Sequence, residues 1–311
     1  MNQPWALDVS SLPKELRYML RLLRSDYPLD EDEAMQLAGD IDWPLFLRLA
    51  LYHETFPVLY PILLRLNARQ QWTPDFVMAN LLTPYTRNTH KLLQLQEETG
   101  RLGGLLESNG VRALFLTGIT GDLNILVSKQ DANVMEQQLG TETELNICWS
   151  FSPDSRNAPS FEELWVRRQA SSLQKSVFTL GNEDRLLHLI MNGTRTGCSS
   201  LKWLLDLDKL MGEFLNWNRM NQLFEQSKSK LIGGQAFLLS TQLLGTLLPE
   251  EAYNLTLESK ARRLAQMSIP LVRGEQDKTL ESGKLPMKYV PFLRIWQQFR
   301  RLSPKGEAPL Q

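Results

Sequence analysis

The stretch "TGITGDLNILV", Thr117 to Val127, decides the fold. Gly118 and Gly121 punctuate it, and the residues that follow alternate and are rich in β-formers. Glycine enters tight turns without steric cost, so the stretch reads as a turn feeding a strand over "DLNILVS". One carboxylate, Asp122, stands at the turn, and one amide, Asn124, follows two residues later. Taken alone, an Asp-x-Asn after glycine is an ordinary strand entry.

Working outward, short elements surround this strand. "RALFLTG" before it is an apolar run stopped by glycine. After it come "KQDANVMEQQLG", a short helix, and "TELNICWSFS", a second strand. "PDSRNAPS" is a loop, and "SFEELWVRRQA" opens a helix with Ser160 and Glu163 spaced as a capping box. "SVFTL" reads as a last strand. Residues 101–180 are therefore expected to form a small mixed α/β core with short connections.

Both flanks read as helical. In residues 1–100, "SLPKELRYMLRLLRS" offers a cap at Ser10 or Ser11 and apolar residues three and four apart at Leu16, Met19, Leu20 and Leu23. "DEDEAMQLAGD" has acids in a first turn, and "DWPLFLRLALYHE" and "FPVLYPILLRLNAR" follow across a short break. A long amphipathic stretch from Pro84 ends at Asn109-Gly110, a helix stop. In residues 181–311, "GNEDRLLHLIMNG", "SLKWLLDLDKLMGEFL", "WNRMNQLFEQSKSKL" and "GGQAFLLSTQLLGTLL" carry helical periodicity. The predicted class is α+β: a small mixed sheet between helical regions.

The chain has 311 residues, 42% of them hydrophobic, enough for a sizeable core. With 34 basic and 35 acidic residues the net charge is -1, which gives no footprint for nucleic acid. Two cysteines, Cys148 and Cys198, do not make a disulfide framework. The N-terminus lacks the basic and apolar regions of a signal peptide, and no apolar run is long enough to span a bilayer. A cytoplasmic protein is expected. The end of the chain, with Lys284, Lys288, Arg294, Arg300, Arg301 and Lys305 beside Trp296 and Phe299, reads as a basic amphipathic helix able to dock on a partner.

Several segments together resemble an uncharacterised bacterial nucleotidyltransferase-like family with helical flanks. They are "DWPLFLRLALYHETFPVLYPILLRL", "NGVRALFLTG", "GDLNILVSKQDANVMEQQL", "ELNICWSF", "FEELWVRRQ", "TLGNEDRLLHLIMNG" and "LKWLLDLDKLM". Their order and spacing carry the resemblance from about Asp42 to Leu210. It implies a phosphate-holding glycine turn at Thr117, Gly118 and Gly121, and Mg²⁺ with a nucleoside triphosphate as ligands. Carboxylates at positions 122, 124 and 146 would hold the metal. Residues i and i+2 on a strand share a face, so two of them can reach one cation.

This chain departs from that pattern. Thr117 replaces a lysine, only "ITG" separates Gly118 from Asp122, Asn124 and Asn146 replace acids, and Cys148 stands where the family has histidine. An amide oxygen carries no net charge and cannot act as a general base near neutral pH. Asp122 is left to bind metal weakly or not at all. The resemblance thus implies a degenerate member that binds a nucleotide, peptide or protein partner in natural-product or polysaccharide biosynthesis or in a regulatory pathway. One alternative is an active Mg²⁺-dependent enzyme using Asp206 or Glu163 as a further carboxylate. Another is a structural adaptor with a closed cleft, binding neither Mg²⁺ nor nucleotide. His53, His90 and His188 read as structural, and no zinc-ligand spacing is present.

Overall fold

The computed structural model describes residues 6–116, 124–132, 146–148, 151, 157–171, 176–195 and 197–273. It opens with helices α1 (Lys14–Leu23), α2 (Glu31–Ala38), α3 (Trp43–Tyr52) and α4 (Phe56–Leu66). The side chains of Asp30 and Asp42 cap α2 and α3 by accepting from the backbone N–H groups of Glu33 and Leu45. α1 begins differently from the sequence expectation. Pro13 occupies its N-cap position without a side-chain cap, and the Ser10 N–H instead donates to Asp8 Oδ1 at 2.9 Å. Proline already holds a suitable φ, so the helix starts there and the serines stay in the preceding turn. Leu16, Met19, Leu20 and Leu23 are buried, as their spacing requires.

Helix α5 (Asp75–Ser108) has 34 residues and is about 50 Å long. It begins at Asp75, and Pro84 lies inside it rather than at its start. Val77 and Leu81 join the large helical core, while Leu102 and Leu106 join a second core under the sheet. α5 ends at Asn109, with Gly110 at φ +70°, the left-handed stop expected from Asn-Gly. A division at residue 100 therefore falls within a continuous helix.

Strands β1 (Ala113–Leu116), β2 (Asn124–Val127), β3 (Asn146–Cys148), β4 (Gln169–Ala170) and β5 (Phe178–Thr179) form one mixed sheet in the order β3-β2-β1-β5-β4. β1 is antiparallel to β2 and parallel to β5, and β3 is parallel to β2. Strand alternation divides the side chains between two cores. Ala113, Phe115, Ile125 and Val127 pack with Leu102, Leu106 and Val177 on the α5 face. Leu114 and Leu126 point the other way, into the large core. At Gly103 a Cβ would come within 2.8 Å of Val177 Cγ2, so glycine lets α5 lie against the entry to β5.

Helix α6 (Phe161–Val166) carries the expected capping box between Ser160 and Glu163. It stops at Arg167, however, and "QA" becomes β4 rather than a last helical turn. A two-residue strand has no periodicity to read, and only pairing with β5 defines it.

The remaining helices are α7 (Asn182–Arg195), α8 (Leu201–Met211), α9 (Trp217–Gln226), α10 (Lys230–Leu244), α11 (Glu250–Thr256) and α12 (Ser259–Val272). The first four match the sequence reading, with earlier ends for α8, α9 and α10. α9 stops before Lys228 at φ +53°, and α10 stops at Gly245 at φ +73°. α10 is buried on most sides, which explains its apolar composition. At Gly193 an added Cβ would meet Trp203 at 1.9 Å, and the Trp203 indole donates to the Leu189 carbonyl at 2.6 Å. This close approach sets α8 against α7. The result is a mostly helical α+β fold with a small mixed sheet between helical flanks. Among the described residues, no helix is long and apolar enough to cross a membrane.

Candidate functional site

The candidate site lies where β1 ends and β2 begins. Asn124 opens β2 and pairs with Leu116 at the end of β1. It shares the face of Leu126, toward the large core, and is half-buried. On its other side Asn124 pairs in register with Asn146, the first residue of β3. Neighbouring strands lie about 4.8 Å apart, so these backbone positions are adjacent. The two positions singled out as acid replacements thus stand side by side. Thr117, Gly118, Gly121 and Asp122 lie outside the described residues, as does the basic segment from Lys284 to Lys305.

The same edge of the sheet carries the entry to α7. β5 runs parallel to β1 and leads through Gly181 into that helix. Gly181 packs on the carbonyl of Arg167, which a Cβ would approach to 2.8 Å. Arg167 in turn donates from Nε and Nη2 to the two carboxylate oxygens of Asp184, at 2.8 and 2.9 Å. Asp184 is only 1% exposed. The paired carboxylate holds the Arg167 guanidinium above its usual range. This two-pronged pair was not apparent from the sequence. Arg167 and Asp184 are 17 residues apart and follow no helical or strand period.

Of the two carboxylates proposed as substitutes, Asp206 and Glu163, the second caps a helix; Asp208, two residues from Asp206, ties helices together. Glu163 accepts from the Ser160 N–H and hydroxyl, both at 2.8 Å, and these bonds hold its carboxyl below the usual range. Asp208 accepts from Ser25 Oγ at 3.1 Å and Thr246 Oγ1 at 2.6 Å, tying α8 to two loops. Asp206 is half-buried on the same helix. Among the described residues, no group of three or more His, Cys, Asp or Glu side chains could hold a metal ion. Mg²⁺ draws on anionic oxygen ligands, and positions 124 and 146 carry amides.

His53 and His188 are packing residues. His53 is 1% exposed. Burial lowers its pKa to about 4, with the Val272 backbone offsetting part of the effect. His188 packs edge-on against Phe151 at 5.2 Å, and Asn192 Nδ2 lies 3.1 Å from its Nε2. His90 is exposed on α5. Cys198 is buried with its thiol pushed up to about 12 by desolvation, which disfavours the reactive thiolate.

A comparison with protein families matches residues 122–245 to a family described as an uncharacterised nucleotidyltransferase. The matched stretch begins at Asp122 and contains β2, β3 and the helices through α10. It extends past Leu210, where the resemblance read from the sequence ended, and omits the N-terminal helices that the resemblance included. Comparisons with curated proteins and with solved structures find no match.

Proposed function

We propose that residues 122–245, which match a family described as an uncharacterised nucleotidyltransferase, form a domain that in this chain binds without transferring a nucleotide. The observation that carries this reading is the register pairing of Asn124 with Asn146. Two strand starts in register carry amides in the sequence where the family resemblance implies carboxylates. Losing two charges from a shared site weakens Mg²⁺ binding, and an amide cannot take a proton from an attacking hydroxyl. Glu163 is already committed to capping α6, which removes one carboxylate from the active-enzyme alternative. The domain then serves a biosynthetic or regulatory pathway through a bound nucleotide, peptide or protein.

Calorimetry with ATP, GTP, CTP and UTP, with and without Mg²⁺, tests this reading. The expected result is no Mg²⁺-dependent binding by the wild-type chain and a gain of Mg²⁺ affinity in the Asn124→Asp/Asn146→Asp double variant. Micromolar, Mg²⁺-dependent binding by the wild type that disappears in Asp122→Ala would overturn it.

A further inference from the structure

Helix α5 buries one side and leaves the other open. Val77, Leu81, Asn88, Leu102 and Leu106 are buried and lie on one side of the helix. On the opposite side Leu82, Thr86, His90, Leu93, Glu97 and Arg101 form a row, each three or four residues from the next, and all six are exposed. Leu93, in the middle of the row, is 57% exposed, and Leu82 is 44% exposed. The row continues to Gly104, where an added Cβ would meet nothing within 4 Å. Beside it, the hydroxyls of Thr83 and Thr89 donate to the carbonyls of Ala79 and Tyr85 at 3.4 and 3.0 Å. An apolar contact can therefore cover these threonines without leaving a hydroxyl unpaired.

The basic and acidic side chains are sorted along the helix. Residues 82–92 contain Arg87, His90 and Lys91 and no acid. Residues 93–108 contain Glu97, Glu98 and Glu107 against one base, Arg101. Arg101 lies 3.9 Å from Glu98 on the same helix, which leaves the acids in excess. A parallel copy of this helix would set base against base and acid against acid. An antiparallel copy sets each basic half against an acidic one. With a two-fold axis between Leu93 and Gln94, the two Leu93 residues would flank the axis, His90 would face Glu97 of the second copy, and Thr86 would face Arg101. An imidazole donates to a carboxylate whether or not it is charged. Thr83 would fall opposite Gly104, so small residues towards both ends allow a close approach of the helices.

We propose that the exposed face of α5 is a dimer interface, formed with the same face of a second copy in antiparallel packing about Leu93. The leucines supply the apolar contact, and the charge pattern sets direction and register. One end of α5 joins the large helical core and the other joins the core under the sheet. Antiparallel pairing therefore sets the sheet of each copy beside the helical flank of the other. The interface does not depend on what the Asn124–Asn146 edge binds.

Sedimentation equilibrium of the full chain tests this. One helix pair with few apolar residues makes a small interface, so the expected dissociation constant is on the order of 10 μM. Leu93→Lys is expected to leave a monomer. His90→Glu and Glu97→Arg each oppose like charges across the axis and weaken self-association at least about 5-fold. An equimolar mixture of these two variants regains the wild-type affinity, because in the mixed dimer each carboxylate faces a guanidinium or an imidazole. All three substitutions are at exposed positions, so the fold is kept. A wild-type chain that stays monomeric up to about 0.3 mM overturns the proposal. So does a Leu93→Lys dimer of wild-type strength, or a mixture of the two charge variants that associates no more tightly than either alone.

Discussion

His53 and Arg167 illustrate two ways in which a buried polar side chain is tolerated. His53 stays neutral. Its pKa is about 4 in the fold because burial disfavours the charged ring, against about 6.5 in an unfolded chain. The unfolded state therefore binds the proton more readily, and stability falls as the pH drops from about 6.5 to about 4. This residue alone is expected to remove about 2–3 kcal/mol between pH 7 and pH 4.5. Urea unfolding at both pH values should show that loss in the wild type, reduced by that amount in His53→Leu. Arg167 is different because its charge is matched. Arg167→Ala would leave the Asp184 carboxyl without its partner in a site where its side chain is 2% exposed. The expected cost is about 3 kcal/mol, at the lower end for a buried pair because Arg167 itself is partly solvated. Arg167→Met/Asp184→Leu should recover at least half of it. If the single variant melts like the wild type, the pair does not hold β4 to α7.

At the level of elements, α6 is the shortest helix near the sheet and depends most on its ends. Ser160 and Glu163 satisfy each other's backbone donors, and the fourth residue of the helix, Leu164, is fully buried. Ser160→Ala should cost about 1 kcal/mol. Hydrogen exchange should locate the loss in residues 161–168, and a uniform change across the protein would contradict it. The contact between α7 and α8 is less forgiving. A Cβ at Gly193 falls inside the Trp203 ring, so Gly193→Ala must displace the indole or separate the helices. Overpacking of this kind costs about 1–3 kcal/mol, and the lost Trp203–Leu189 hydrogen bond adds to it. Thermal unfolding of the variant measures the sum. The sequence showed α7 and α8 through their apolar periods. It did not show that Gly193 is the point of closest approach, because a helical glycine looks the same whether it faces solvent or an indole.

At the scale of the whole molecule, the N- and C-terminal helices close on each other through a polar clasp. Ser25 donates its N–H to the Leu244 carbonyl at 2.8 Å and its hydroxyl to Asp208 at 3.1 Å. Thr246 donates to the same Asp208 oxygen. Asp26, paired with Arg24, sits where a side chain on Gly245 would be. The clasp joins segments more than 180 residues apart. Asp208→Ala removes the shared acceptor and should destabilise the protein by about 2 kcal/mol. Faster hydrogen exchange in residues 24–27 and 244–247, with the β1–β2 pair unaffected, is the signature to look for. Loss of protection spread evenly over α1, α8 and the sheet would mean that the clasp is not a separable unit.

The sequence by itself determined the class and most of the elements. Apolar spacing marked α1, α3, α4, α7 and α8, the capping box marked α6, and Asn109-Gly110 marked the end of α5, because these are local preferences of neighbouring residues. It also placed amides at 124 and 146, where the family resemblance implied acids. Only the tertiary structure decided that Asn124 and Asn146 are register partners, that Asp184 faces Arg167, and that Gly193 is where α7 meets the Trp203 indole of α8. β4 likewise exists only because β5 lies beside it. Each of these depends on contacts between residues distant in the chain. Such contacts follow from how helices and strands pack, and local preference carries no record of that.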